Sequence, residues 1–216
     1  MASGRDPVAG GKRAAILDAA IERFGEDGYE HTKWADVAAD VGVGPTALYH
    51  YFESKQHCLF VVMDQALVEL DHRFQDLTQG NPDHVAALRA VLADCFDVSE
   101  HEALRNRVLV AEQGLLAHPC GSPREEEARQ TARMHTRDIE RAWTLFLAAA
   151  ADSGTIAIAN PRLTARAILG IYNSIWLWFR PRGRIELDRV AGFFTDRILA
   201  IVGLEPEPSD RLQEAA

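Results

Sequence analysis

The sequence predicts an all-α protein. Apolar residues recur at helical spacing along most of the chain, strand-like alternation is nearly absent, and N-cap signals stand at the start of one periodic segment after another. Asn81-Pro82 and Asn160-Pro161 each set a capping residue before a proline, whose fixed φ and missing N–H suit a first helical position. Ser99 with Glu102, and Ser122 with Glu125, have the spacing of a capping box, the second with Pro123 in its first turn. Ser54 is placed to cap a helix that begins at Lys55. These marks divide the chain into about nine helices, near 11–27, 33–40, 44–51, 54–78, 82–97, 100–117, 123–151, 161–180 and 186–203. The Pro- and Gly-containing stretches 118–123 and 180–184 read as loops, and the tail from Glu205, with Pro206 and Pro208, is expected to fray. A three-helix head over residues 10–56 and a larger helical body over residues 57–204 are the expected domains.

Composition limits the function classes. The 216 residues are 47% hydrophobic and 25% charged, ordinary for a globular chain able to bury a core without disulfides. Cys58, Cys95 and Cys120 lie far apart and form no CxxC pair, which fits a reducing compartment. No apolar leader opens the chain, and the longest apolar run, 165–179, is broken by Arg166, Asn173 and Ser174. A cytoplasmic protein without a membrane span is expected. The eight histidines show no paired spacing on a helix face, so neither a metal nor a cofactor is expected. No nucleophile with a base and no carboxylate pair marks an enzyme. The net charge of −9 argues against nucleic acid, and the first 60 residues, with six Lys/Arg against nine Asp/Glu, are not basic either. A DNA-binding head would therefore need local positive charge and the N–H groups of helix N-termini.

Residues 32–52 nevertheless carry a specific pattern. Trp34, Val37, Ala38 and Val41 fall on one face of a short helix, with Thr32 placed to cap it. Gly42 sits where a tight turn between helices needs positive φ, and Leu48 and Phe52 form the buried face of the next helix. Ala38 is small enough to let the second helix cross closely. These are the parts of a helix-turn-helix. The same pattern also suits a plain helical hairpin, whose outer face would carry Glu and Lys. Here the outer face presents Pro45, Thr46, Tyr49 and His50, with Tyr51 at the end, groups suited to hydrogen bonding.

With its flanks the segment resembles the TetR family head. The resemblance rests on Ile16-Leu17, Ala19-Ala20, Phe24, Gly28-Tyr29, Thr32, Val37-Ala38, Val41-Gly42-Val43, Leu48-Tyr49, Tyr51-Phe52 and Ser54-Lys55, in register from 13 to 59. It implies an all-helical homodimer that binds double-stranded DNA and regulates transcription, by default as a repressor released by a small-molecule effector. By that resemblance Thr32, Tyr49, Tyr51 and Lys55 fall on positions that hold the phosphate backbone. Gly44, Pro45, Thr46 and His50 fall where base edges are read, with Lys33 and Trp34 beside them. Trp34 is equally a core residue or one at the DNA edge. The family commonly has Ser at Gly44 and often His at Tyr51, so one side-chain cap and one possible phosphate contact are missing.

In the body, the segment 161–180 is apolar on two faces and 186–203 repeats the idea. Two such helices from each subunit would make a four-helix dimer interface. On 123–151 a stripe of small residues through His135, Ile139, Ala142 and Phe146 leaves room for a cavity. The run from Asn173 to Arg184 is similar to the corresponding stretch of TetR members that sense acyl-CoA thioesters. His135, Ile139, Trp143, Phe146, Trp176, Phe179 and Arg180 are the candidate effector contacts, Arg180 toward phosphates. A solvated basic loop after an interface helix explains the same run, and a satisfied core histidine explains His135.

Overall fold

The computed structural model describes residues 7–205, with side chains from Gly11. Among them there is no strand, and the helices run α1 Pro7–Glu26, α2 Trp34–Asp40, α3 Pro45–Tyr51, α4 Lys55–Thr78, α5 His84–Phe96, α6 Glu100–Ala111, α7 Pro123–Asp152, α8 Pro161–Trp178 and α9 Leu187–Ile201. A 3-10 turn, Gln113–Ala117, stands where the sequence pattern continues α6. Gly114 weakens the helix there. The buried Arg129 satisfies the turn's Leu116 carbonyl and grips Glu126, whose carboxyl Arg129 first, and then the Cys120 N–H, hold down to about 2. α8 stops at Trp178 because Arg180, preceding Pro181, is disfavoured in helical conformation.

The caps follow the sequence in part. Ser99 and Glu102 form both bonds of the capping box, Asn160 accepts from the Leu163 N–H, and Ser54 accepts from the His57 N–H. At α5 it is Asp83, not Asn81, whose carboxylate takes the first free N–H groups, at 3.1 and 2.9 Å; Asn81 supports the Asp83 N–H instead. Ser122 and Glu125 make no capping box: Ser122 donates to Glu53, and Glu125 accepts from Ser54. A residue paired across 69 or 71 positions of sequence is invisible to a local capping rule.

The chain packs as two compact units. One gathers the described residues up to Leu70 with Ser99–Arg137; the other gathers Asp71–Val98 with the described residues from Asp138. α4 and α7 thus each contribute to both. In the first unit α1 buries Ile16, Leu17, Ala20, Ile21 and Phe24, the stripe read from the sequence, and α4 buries Leu59, Phe60 and Met63. Gly25 lies so close to α6 that a Cβ added there would stand 2.7 Å from Leu104 Cβ, inside van der Waals contact. In the second unit Phe74, Leu88, Leu92, Trp143, Phe146, Leu147, Ile168 and Ile198 share one core. No helix among the described residues is long and apolar enough to cross a membrane.

Candidate nucleic-acid interface

The interface candidate is built on the joint between α2 and α3. Val37, Ala38, Leu48 and Phe52 are each fully buried, and α2 and α3 pack against each other. Gly42 adopts φ +65 between them, and the Val43 N–H bonds back to the Ala38 carbonyl at 2.9 Å. A Cβ at Gly42 would touch nothing within 4 Å, so the cost of a side chain there is purely that of the left-handed backbone. Gly42→Ala is expected to lower stability by about 1–2 kcal/mol, with Gly42→Asn milder, in paired denaturation curves. Equal stability of the alanine variant and the wild type would mean that the turn does not need positive φ.

With its apolar face committed, α3 turns the other side to solvent. Pro45, Thr46 and His50 are exposed, Tyr49 is 55% exposed, and Tyr51 is half-buried. Gly44 caps α3 through extended backbone, φ −68 and ψ 148, without a side-chain bond, and a Cβ there meets open space. The serine common in the family would therefore fit. Lys33 is exposed at the N-cap of α2, and Trp34 is half-buried, edge-on to Phe52 at 6.4 Å between ring centroids. Its indole Nε1 is buried and without a partner. Trp34 thus stands at the margin, part core and part surface.

Two candidate residues are engaged inward. Thr32 does not cap α2, a correction to the sequence expectation; Lys33 holds the N-cap position with no side-chain bond. Thr32 is 5% exposed, and its hydroxyl donates to the carbonyls of Gly28 at 2.9 Å and Arg23 at 3.2 Å. Lys55 Nζ donates to the carbonyls of Tyr29 at 2.7 Å and Thr32 at 3.0 Å and lies 4.2 Å from the Tyr29 ring centroid.

Other head cations are also occupied. The Arg23 guanidinium forks onto Asp40 at 2.7 and 2.8 Å, tying α1 to α2, and that bond raises its already high pKa. Lys12 Nζ reaches the Val41 carbonyl at 3.2 Å, and the Arg13 guanidinium carbon sits 4.9 Å from the Phe52 ring centroid. Sequence reading missed the Arg23–Asp40 fork and the Ser54–Glu125 and Glu53–Ser122 links. Nothing in local spacing announces pairs 17 to 71 residues apart.

The candidate effector residues fall into separate groups. His135 belongs to the first unit, where its Nδ1 lies 2.7 Å from an Asp64 carboxylate oxygen. In the second unit Trp143 and Phe146 pack around Phe74, with Ile139 against the same core. Trp176 and Phe179 join a neighbouring aromatic chain through Tyr172 and Phe96, with successive centroids 5.7–6.0 Å apart. Arg180 is exposed, with Nη1 toward the carbonyls of Leu177 and Phe179. An open groove of about 690 Å³ runs along α7 past Glu126, Arg129, Gln130, Arg133, Met134 and Arg137, and none of the candidate effector residues lines it. Among the described residues no three His, Cys, Asp or Glu side chains cluster to hold a metal ion.

A three-helix head whose second and third helices pack across a glycine turn, with a polar and aromatic face turned to solvent, defines a helix-turn-helix DNA-binding regulator. The chain belongs to the tetR family of bacterial regulatory proteins: residues 16–62 match that family, and residues 81–202 match the tetracyclin repressor-like C-terminal domain. It is similar to the HTH-type transcriptional repressor KstR2 of Mycobacterium tuberculosis, 25% identical over 205 residues, or 91% of this chain and 95% of that protein. PfmR of Thermus thermophilus, a TetR family regulator, superimposes with a TM-score of 0.69 at 28% identity, covering 86% of this chain and 97% of PfmR. AibR, solved in complex with isovaleryl coenzyme A and operator DNA, shares the fold with a TM-score of 0.72 at 22% identity, covering 87% and 97% of the two chains. These relatives are transcriptional regulators and not enzymes.

Proposed function

We propose that the chain is a cytoplasmic, ligand-released repressor that binds a palindromic operator as a homodimer. Residues 10–56 form its DNA-binding domain and residues 57–204 its effector and dimerisation domain. The observation that carries the reading is the outward face of α3: Pro45, Thr46, Tyr49 and His50 stand exposed on a helix whose opposite face is fixed by buried Leu48. Gly44, Pro45, Thr46 and His50 read base edges, Tyr49 and Tyr51 hold phosphates, and Lys33 and Trp34 lie at the margin of the contact. A two-fold dimer sets two such helices one DNA turn apart, about 34–36 Å.

Repression is supported by the similar KstR2 repressors, and an acyl-CoA thioester as effector by the likeness to AibR and by the aromatic residues near Arg180. Trp143, Phe146, Trp176 and Phe179 then supply apolar walls, and Arg180 a phosphate contact. An effector releases DNA only through its different affinities for two conformations; a hundredfold preference gives about 2.7 kcal/mol of coupling, and operator DNA weakens effector binding by the same factor.

Two arms test this reading. In gel-shift titrations Tyr49→Ala is expected to weaken binding to all duplexes alike. Thr46→Ala and His50→Ala should alter preference among operator variants by about 1–3 kcal/mol per base contact. Unchanged affinity in all three removes α3 as the reading helix. Acyl-CoA thioesters and the matching free acids are then titrated into the protein–operator complex. Release by thioesters alone, reduced by Arg180→Ala, supports the CoA contact; release by acids alone, or by neither, removes the CoA assignment.

A further inference from the structure

We infer that Lys55 and Thr32 are positioning residues that clasp the two ends of the helix-turn-helix together, and that neither contacts the DNA backbone. The inference rests on the DNA-binding reading and changes the role of two of its residues. Family resemblance places both on phosphate-holding positions; their hydrogen bonds point elsewhere.

The turn that links α1 to α2 holds carbonyls outside any helix, and such backbone oxygens need donors. Lys55, which opens α4, meets that need: its ammonium donates to the Tyr29 and Thr32 carbonyls, at 2.7 and 3.0 Å, and covers the Tyr29 ring. Two of its three N–H groups are therefore spent on backbone oxygens and the charge lies against an aromatic face. Tyr29 is in turn buried edge-on to Phe24, so the clasp bears on the head's core.

Thr32 argues the same way from hydrogen-bond sign. A phosphate accepts and needs a donor. The single hydroxyl hydrogen of Thr32 is already given to the Gly28 and Arg23 carbonyls, and the side chain is almost fully buried. What remains on that oxygen is acceptor capacity, which repels a phosphate. Thr32 immediately precedes Lys33, the N-cap of α2, and Lys55 follows α3 by four residues. The bond between Lys55 and the Thr32 carbonyl thus closes the segment 32–55 at both ends, and the α2–α3 pair is presented from a closed loop.

The experiment measures affinity of the full-length protein for a duplex selected from a randomised library and for a random duplex, over a range of salt concentrations. Variants are Lys55→Met, Lys55→Arg and Thr32→Val, all at a temperature where circular dichroism shows each to be folded. Loss of a phosphate contact lowers the slope of log affinity against log salt by about 0.9 per contact. The clasp predicts an unchanged slope, a selected-duplex affinity about tenfold or more lower in Lys55→Met, and a reduced ratio of selected to random binding.

Lys55→Arg keeps the charge but puts a planar fork where a compact ammonium bridges two carbonyls. It is expected to lose affinity as well, whereas a phosphate contact would survive it. A slope smaller by about 0.9 or more in Lys55→Met, full affinity in Lys55→Arg, or lowered melting with unchanged affinity and ratio would each overturn the assignment. Wild-type protein that binds neither duplex would instead overturn the DNA-binding reading on which it stands.

Discussion

Phe193→Glu, and separately Leu177→Glu, is expected to leave a folded monomer that has lost most of its operator affinity. Phe193 is 52% exposed on α9 and Leu177 56% exposed on α8, with Leu163, Trp178, Ile185 and Ile201 also large, apolar and exposed in the same unit. Buried positions of the same helices, Ile168, Ile175, Trp176, Ile198 and Leu199, already serve the core. Two apolar stripes on one helix need two partners, and a second copy of the chain is the proposed one. At a two-fold interface a new glutamate enters twice and is desolvated without a cation. Linking two half-site contacts multiplies affinity by about 10²–10⁴, and a monomer forfeits that factor. Light scattering at micromolar concentration and an operator titration read the two effects. Dimers of unchanged affinity in both variants would remove α8 and α9 as the interface.

Trp176→Ala should act on the fold itself. Trp176 is 1% exposed, with its ring edge-to-face to Tyr172 at 5.7 Å and Phe179 at 6.0 Å. Truncating a buried tryptophan costs about 3–5 kcal/mol in transfer energy and cavity. For a chain of this length that corresponds to a melting temperature lower by about 10 °C. Trp178, two residues on and 45% exposed, is the internal control: Trp178→Ala should spare the monomer's stability and weaken association. Melting of Trp176→Ala within about 2 °C of wild type would mean that this ring is not part of the packed core.

The contrast between these two tryptophans marks where sequence reading ends. Periodicity marks α8 as apolar on two faces, because successive faces of a helix are fixed by its 3.6-residue turn. It does not say which stripe meets the chain's own core, since Ile168 and Leu177 have equal reason to leave water. On α9 the apolar stripe of the sequence includes Ile201, which the fold leaves 37% exposed. Likewise Phe146 is legible on the stripe of α7, yet its close packing with Phe74, beside Trp143, depends on α4, distant in sequence.

By itself the sequence determined the helical class, half of the caps, the glycine turn at Gly42, the burial of Ala38 and Leu48 and the outward face of α3. All are local, set by backbone conformation and by spacing within one or two helices. The tertiary structure alone decided that Asp40 takes the Arg23 fork, that Ser122 and Glu125 serve Glu53 and Ser54, and that His135 meets Asp64. It also turned Thr32 and Lys55 inward. A serine, lysine or glutamate has the same local signature whether it faces a phosphate, a cap or a carbonyl. The choice goes to whichever partner the fold brings within about 3 Å, and that distance is set by elements far apart in the chain.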